Sequence, residues 1–276
     1  MTETEQKIQT FVKKHGHSLH SQVVQFLRAN DWEVLVSPFY RDNGTDKARE
    51  TDIIAEKYIR ALDTWGYFLG AYFRLRLVIE CKYMKEQTII WFDQKNVVAT
   101  ERRIINDISL FKPSRENESI REHHFYTTNE VGKLFATATE GQEKQSENEV
   151  MFSAVDKVLN CLAYYRHVPA LAEEERPKKL AYNSTVSYPL IVLNDFKNLY
   201  RTDMRTTEAT IESLADKKCF QLEVNYASNG IYSGTKVPHV EYFLVDVLKF
   251  DGLGDYLKIL EKDVRIASVF LPSKSN

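Results

Sequence analysis

Cysteine, glycine and proline are all scarce in this chain: three, ten and seven among 276 residues. So few glycines and prolines exclude a collagen-like or low-complexity chain and leave long stretches free to form regular helices and strands. The three cysteines, Cys81, Cys161 and Cys219, are odd in number, far apart and without metal-ligand spacing. That argues against a disulfide framework and implies reduced thiols, with Cys81 and Cys161 as small buried hydrophobes. No apolar run approaches the ~20 residues that a membrane-spanning helix needs. The opening MTETEQKIQTFVKKHGHS has no apolar core of a secretion signal, so the expectation is a soluble, cytoplasmic protein without a membrane partner. Neither charge is in excess: the formal net charge is −2, which excludes a uniformly basic surface. Any nucleic-acid contact must come from a local patch.

What is present is a globular composition, 43% hydrophobic and 28% charged, on a chain long enough for a sizeable core. In SLHSQVVQFLRANDW, Leu19, Val23, Phe26 and Leu27 recur at helical spacing, predicting a helix over about 18–29, either with Ser18 as N-cap or continuing an earlier helix that begins near Glu3. EVLVSPFY reads as a strand stopped near Pro38 and RDNGTDKAR as a loop. ETDIIAEKY and RLRLVIECKY are two further strands around an aromatic-rich segment, QTIIWF is a short strand, and 93–110 reads as a helix. From Lys112 to Glu149 the chain is polar, with TEGQEKQSENE as an exposed loop or helix entry. In EVMFSAVDKVLNCLAYYRH, Met151, Val155, Val158, Leu159 and Leu162 share one helical face. RPKK marks a linker; VSYPLIVLND, CFQLEVNYA and VEYFLVDVLKF follow as strong β segments, and GLGDYLKILEKDVRI closes the chain as a helix. The order predicts a single α/β domain over 1–276, a mixed central β-sheet flanked by α-helices.

One stretch asks for a chemical reason. RLRLVIECKY is apolar until it ends with Glu80 and, two positions later, Lys82. Strand side chains alternate, so Val78, Glu80 and Lys82 share one face and Leu77, Ile79 and Cys81 the other. The same rule puts Glu50, Asp52 and Ile54 on one face of ETDIIAEKY. If the two strands pair, Asp52 and Glu80 come within reach of one divalent cation, which would relieve their repulsion. Mg²⁺ takes oxygen ligands and keeps waters, leaving room for a phosphate, and Lys82 beside it could orient a water or stabilise phosphate charge.

An Asp followed 28 positions later by Glu-x-Lys at the end of an apolar strand resembles the PD-(D/E)xK nuclease superfamily. RETDIIAEKY followed by LVIECKY is especially similar to its Mrr-like branch. The resemblance implies a restriction-endonuclease-like fold with its motif core over about 18–166, additional strands and a terminal helix following over about 186–266. It also implies a metal-dependent nuclease, most readily on DNA, serving in restriction, phage defence or repair. By position, Asp52, Glu80 and Lys82 would be catalytic, with Asp52, Glu80 and the Cys81 main-chain carbonyl holding Mg²⁺ or Mn²⁺. Glu50 and Gln22 would support the metal shell from behind. Two departures stand out: Thr51 occupies the position usually written as proline, and the first helix offers only Gln22 or His20 where many relatives carry an acid. Targeting would come from a homodimer or a partner protein. The alternative is a non-catalytic nucleic-acid-binding or interaction module on the same fold.

Other groups carry less. His15, His17 and His20 in HGHSLH, and His123 and His124 in REHHF, lack matching ligands and read as surface histidines. Lys95, Arg102 and Arg103 could touch a phosphate backbone but, diluted by Glu101 and Asp107, read as a solvated helix face. Arg41, Lys47 and Arg49 lie in a loop beside the proposed site. Tyr164 and Tyr165 read as helix packing, and YASNGIYSGTK lacks P-loop spacing.

Overall fold

The computed structural model describes residues 2, 4–7, 16–62, 67–108, 118–138, 146–147, 149–166, 183–208, 210–232 and 235–268. Helix α1 (Gly16–Ala29) is followed by strands β1 (Glu33–Val36), β2 (Phe39–Arg41), β3 (Ala48–Glu50), β4 (Ile53–Leu62), β5 (Phe68–Lys82) and β6 (Gln87–Gln94). Next come helix α2 (Val97–Ile108), strands β7 (Glu130–Ala138) and β8 (Ser146–Glu147), and helix α3 (Glu149–Tyr165). The described residues end with β9 (Asn183–Leu193), β10 (Leu199–Asp203), β11 (Glu212–Ser213), β12 (Cys219–Tyr232), β13 (Thr235–Lys249) and helix α4 (Leu253–Ser268).

The expected mixed central sheet flanked by helices is present. Ten strands run in the order β1-β4-β5-β9-β13-β12-β7-β6-β10-β11, with β8 added beside β7. Strands β1, β4 and β5 are antiparallel neighbours, β9 lies parallel to β5, and β13 lies parallel to β9. Strands from both halves of the chain therefore share one sheet.

Alternation along β5 fixes the layers. Leu75, Leu77, Ile79 and Cys81 face one side, packed with Ile53 and Ala55 against Leu19, Val23 and Leu27 of α1 and Leu257 and Leu260 of α4. Ile54 and Val78 face the other side, against Met151, Val155, Val158, Leu159 and Leu162 of α3. Each such side chain contributes roughly 1.5–3 kcal/mol when buried. A one-residue slip of β5 would send Arg76 and Glu80 into the apolar layer under α1, so the register is strongly specified.

Four departures from the sequence reading have local causes. ETDIIAEKY is not one strand: β3 ends at Glu50 in a separate two-stranded sheet with β2, and the chain bends at Asp52 before β4 begins. The helix expected over 93–110 starts at Val97, because Gln94 is still paired with Glu130 of β7. Strand β7 lies inside the stretch that composition marked only as polar; it survives because β6 and β12 flank it and bury Val131. Helix α1 is already formed at Gly16, two residues ahead of the Ser18 expected as its cap. The RPKK linker, most of TEGQEKQSENE and His15 lie outside the described residues. No helix among the described residues is long and apolar enough to cross a membrane.

Candidate active site

Strands β4 and β5 pair antiparallel with Ile53 opposite Ile79 and Ile54 opposite Val78. Continuing that register sets Asp52, at the bend, across from Glu80. Backbone donors tie the two together: Asp52 N–H donates to Glu80 Oε1 at 3.1 Å, and Cys81 N–H donates to Asp52 Oδ2 at 2.7 Å. The bend itself is held by the Asp52 carbonyl, which accepts from Ser37 N at 2.8 Å and lies 2.9 Å from His20 Nε2.

Lys82 completes the cluster. Its Nζ donates to Glu80 Oε2 at 2.5 Å and stands 4.0 Å from Asp52 Oδ2. Burial works against its charge, but Glu80 and then Asp52 outweigh that and raise its pKa above the ordinary lysine value. Glu80 is fully buried, which is tolerable only because every side of its carboxylate is answered. Thr51 Oγ1 donates to Oε1 at 3.1 Å, and Lys157 of α3 reaches Oε2 at 3.6 Å. Two carboxylates and two ammonium groups thus meet on the α3 side of the sheet.

The expected residues divide. Asp52, Glu80 and Lys82 are brought together. Cys81 joins only through its main chain, since its thiol is buried in the layer facing α1 and α4. Glu50 does not join: it is exposed, on a strand that belongs to the small β2–β3 sheet. Gln22 is exposed too, and its amide donates to the Ser18 carbonyl and hydroxyl, each at 3.2 Å. The residue α1 sends toward the site is His20. Thr51 and Lys157 went unread in the sequence, Thr51 because strict alternation sends it to the opposite face and Lys157 because apolar periodicity alone marked α3. Tyr40 of β2 is buried, and its hydroxyl has no hydrogen-bond partner among the described residues. Burial, and then Cys161, Asp156, Asp42 and Glu80 around it, push its pKa far above the ordinary tyrosine value.

The donor set suits a hard cation. Asp52 Oδ1 has no partner among the described residues, and Glu80 Oε2 is held by ammonium groups that a cation could replace. Carboxylate oxygens match the preference of Mg²⁺ and Mn²⁺.

The same sheet face continues with a buried ion pair. Arg76 lies opposite Glu56, donates to its Oε1 at 2.5 Å, and also bonds the carbonyl of Tyr165 at the end of α3. The basic candidates at the sheet's far side are engaged as well. Arg103 is buried, paired with Glu241 at 2.5 Å, its guanidinium 4.3 Å from the Phe243 ring, while Arg102 remains exposed. Near the site, Arg49 bonds Asp42 at 2.8 Å and Arg41 lies 3.6 Å from Asp46.

His123 and His124 are buried, not on the surface, and with Asp263 they form a three-residue group of potential metal ligands. Their hydrogen bonds favour a different use. His124 Nδ1 bonds Asp263, and its Nε2 bonds Asp246 at 3.1 Å. Burial opposes the imidazolium, but Asp246 and Asp263 outweigh it and raise His124 to about 9. His123 Nδ1 accepts the Phe125 N–H at 3.1 Å, and burial keeps the ring neutral. With Nδ1 accepting, the ring proton sits on Nε2, toward Tyr188 at 3.3 Å. Neither ring offers a free lone pair. The group is a buried charge network, extended by Gln221, which donates to Asp246 at 3.0 Å and accepts from Lys95 at 2.6 Å.

Compared with family models, with curated proteins and with solved structures, the chain matches none of them.

Proposed function

We propose that this protein is a metal-dependent nuclease with a restriction-endonuclease-like core, hydrolysing phosphodiester bonds, in DNA by preference. The observation that carries this reading is the convergence of Asp52, Glu80 and Lys82 at the end of the β4–β5 pair, with Lys82 Nζ 2.5 Å from Glu80 and 4.0 Å from Asp52. Asp52 and Glu80 would hold Mg²⁺ or Mn²⁺, aided by the Cys81 carbonyl; when bound, the cation supplies charge to the phosphate and acidity to a water. Lys82 keeps its proton and offers it toward the phosphate oxygens or the attacking water. Thr51 and the Asp52 N–H orient Glu80, and Lys157 adds a second positive group at the same edge. A second copy of the chain or a partner protein would supply targeting, within restriction or phage defence.

A second reading is favoured by one feature: Lys82 and Lys157 already balance the two carboxylates, as a non-catalytic nucleic-acid-binding or interaction module would require. Cleavage of supercoiled plasmid separates the two. Nicking or linearisation with Mg²⁺ or Mn²⁺, abolished by EDTA and by Lys82→Ala or Asp52→Ala, is the nuclease result. Plasmid left intact, or cut equally by the variants, moves the reading to the binding module.

A further inference from the structure

Far along the sheet from Asp52 and Glu80, strands β6, β7, β10 and β12 and the start of α2 enclose a cavity of about 760 Å³ open to solvent. That size lies within the range of small-molecule sites, roughly 300–1,000 Å³. None of Asp52, Glu80 and Lys82 lines it.

Its lining has three chemical features. Four rings, Phe92, Phe125, Tyr126 and Phe220, face the cavity, and the Arg201 guanidinium lies 4.6 Å from the centroid of Phe92. Such an arginine–aromatic layer is a surface on which a further flat ring stacks. Four cations, Lys95, Arg201, Arg205 and Lys217, line the cavity against one carboxylate, Glu130. Glu130 holds Arg201 at 2.8 Å and Arg205 at 2.5 Å, while Asp203 also bonds Arg205 at 2.6 Å and Glu212 lies 3.8 Å from Arg201, fixing both guanidinium groups at the wall. Lys217 has no ion-pair partner among the described residues.

The third feature is polar and buried. Lys95 is buried, and its ammonium donates to the Phe125 carbonyl, to Thr128 Oγ1 at 3.2 Å and to Gln221 Oε1 at 2.6 Å, all neutral oxygens. Burial holds its pKa down to about 8, so an anion drawn into the cavity would stabilise its charged form. Helix α2 begins at the same wall, with Val97 and Thr100 on the lining, although its first N–H groups are already taken, Asn96 N–H by Glu223 Oε2 and Ala99 N–H by Asn96 Oδ1, each at 3.0 Å. Gln94 and Asn129 add amide groups able to pair with the edge of a heterocycle.

Stacking faces, amide groups and clustered cations together suit a ligand that is both an aromatic heterocycle and a phosphate. We propose that this cavity binds a nucleotide, with the base against the Phe92–Arg201 layer and the phosphate at Arg205 and Lys217. The ligand's source is either a free nucleotide or one nucleotide of a single strand. The proposal does not rest on the nuclease reading.

The test is calorimetric titration of the full chain, in EDTA, with AMP, GMP, CMP and UMP, with a short single-stranded oligonucleotide, and with adenosine and inorganic phosphate as partial ligands. Lys217→Glu and Arg205→Ala are exposed changes whose melting temperatures should match the wild type. The expected result is that a mononucleotide or the strand binds more tightly than either partial ligand, and that each variant weakens it about tenfold or more. Binding of the mononucleotide assigns the free ligand; binding of the strand alone assigns the nucleic-acid source. Failure of every nucleotide and of the strand to bind, or undiminished binding by both variants, would overturn the proposal.

Discussion

Asp52 and Glu80 each accept a backbone N–H from the other's side of the pair, Glu80 from Asp52 itself and Asp52 from Cys81 beside Glu80. This reciprocal bonding fixes the carboxylates before any ligand arrives. It also makes them part of the fold, so charge-neutral substitutions test chemistry and truncations test chemistry and folding together.

Glu80→Gln retains the shape of the side chain and an oxygen that can still accept from Thr51 and Asp52, but removes the charge that faces Lys82. Plasmid cleavage should fall by at least about 10²-fold, and the melting temperature should fall as well, because the buried amide leaves Lys82 and Lys157 without the carboxylate that now answers them. Thr51→Val keeps Glu80 charged and removes one donor; its loss should be smaller, about tenfold, and measurable in the same assay. An equal loss for both would mean that Thr51 does more than orient Glu80.

Glu56→Ala should unfold the protein at lower denaturant, by about 3–5 kcal/mol, because it leaves the Arg76 guanidinium buried beside Tyr165 without its carboxylate. Urea unfolding monitored by circular dichroism gives the number. The double change Glu56→Met, Arg76→Met should recover part of the loss, since the Arg76 charge is then no longer buried beside a missing carboxylate, while Arg74, 3.9 Å from Glu56, remains.

Gly132→Ala should destabilise by about 1–3 kcal/mol. A Cβ there would stand 2.7 Å from both Ile90 Cγ2 and Leu222 Cδ2, at the irregular register between β6 and β7. The same unfolding experiment checks it, with Gly44→Ala as the comparison, where the nearest atom to a new Cβ is the Asp42 side chain at 3.5 Å.

Stability should decline between pH 6.5 and 8. His124 is raised from 6.5 to about 9, so the folded chain holds a proton across that window that the unfolded chain has released. Its stabilisation is complete below 6.5 and is lost as pH rises through 9, amounting to about 2 kcal/mol by pH 8. Lys95 carries the opposite sign, but its window opens only near 8, and His123, buried neutral, acts below 6.5. His124→Gln should flatten the slope between pH 6.5 and 8, and histidine proton shifts followed by NMR should show one ring titrating near 9.

The legible part of the site was the part that strand alternation controls. Glu80 and Lys82 lie on one apolar strand and Asp52 just ahead of another close by in sequence, so the pairing of the two strands was a direct expectation. Glu50 misled because alternation holds only while the strand continues, and the chain breaks at Thr51 and Asp52, where Ser37, Pro38 and His20 take its hydrogen bonds. Lys157 and the His124 partners could not be read: α3 must first be laid on the sheet, and Asp263 lies 139 positions beyond His124. The central elements α1, β5, α3 and α4 were readable from periodicity. Strands β7 and β10 were not, since they mix polar and apolar residues and owe their form to neighbours distant in sequence.

The most direct measurement on the metal site is calorimetric titration of Mn²⁺ into wild-type protein and into Asp52→Asn, which removes one ligand charge while leaving the Glu80–Lys82 pair in place. The predicted result is one cation site in the wild type that is lost or weakened at least about tenfold in the variant. No binding by the wild type, or equal binding by the variant, would contradict a cation held between Asp52 and Glu80.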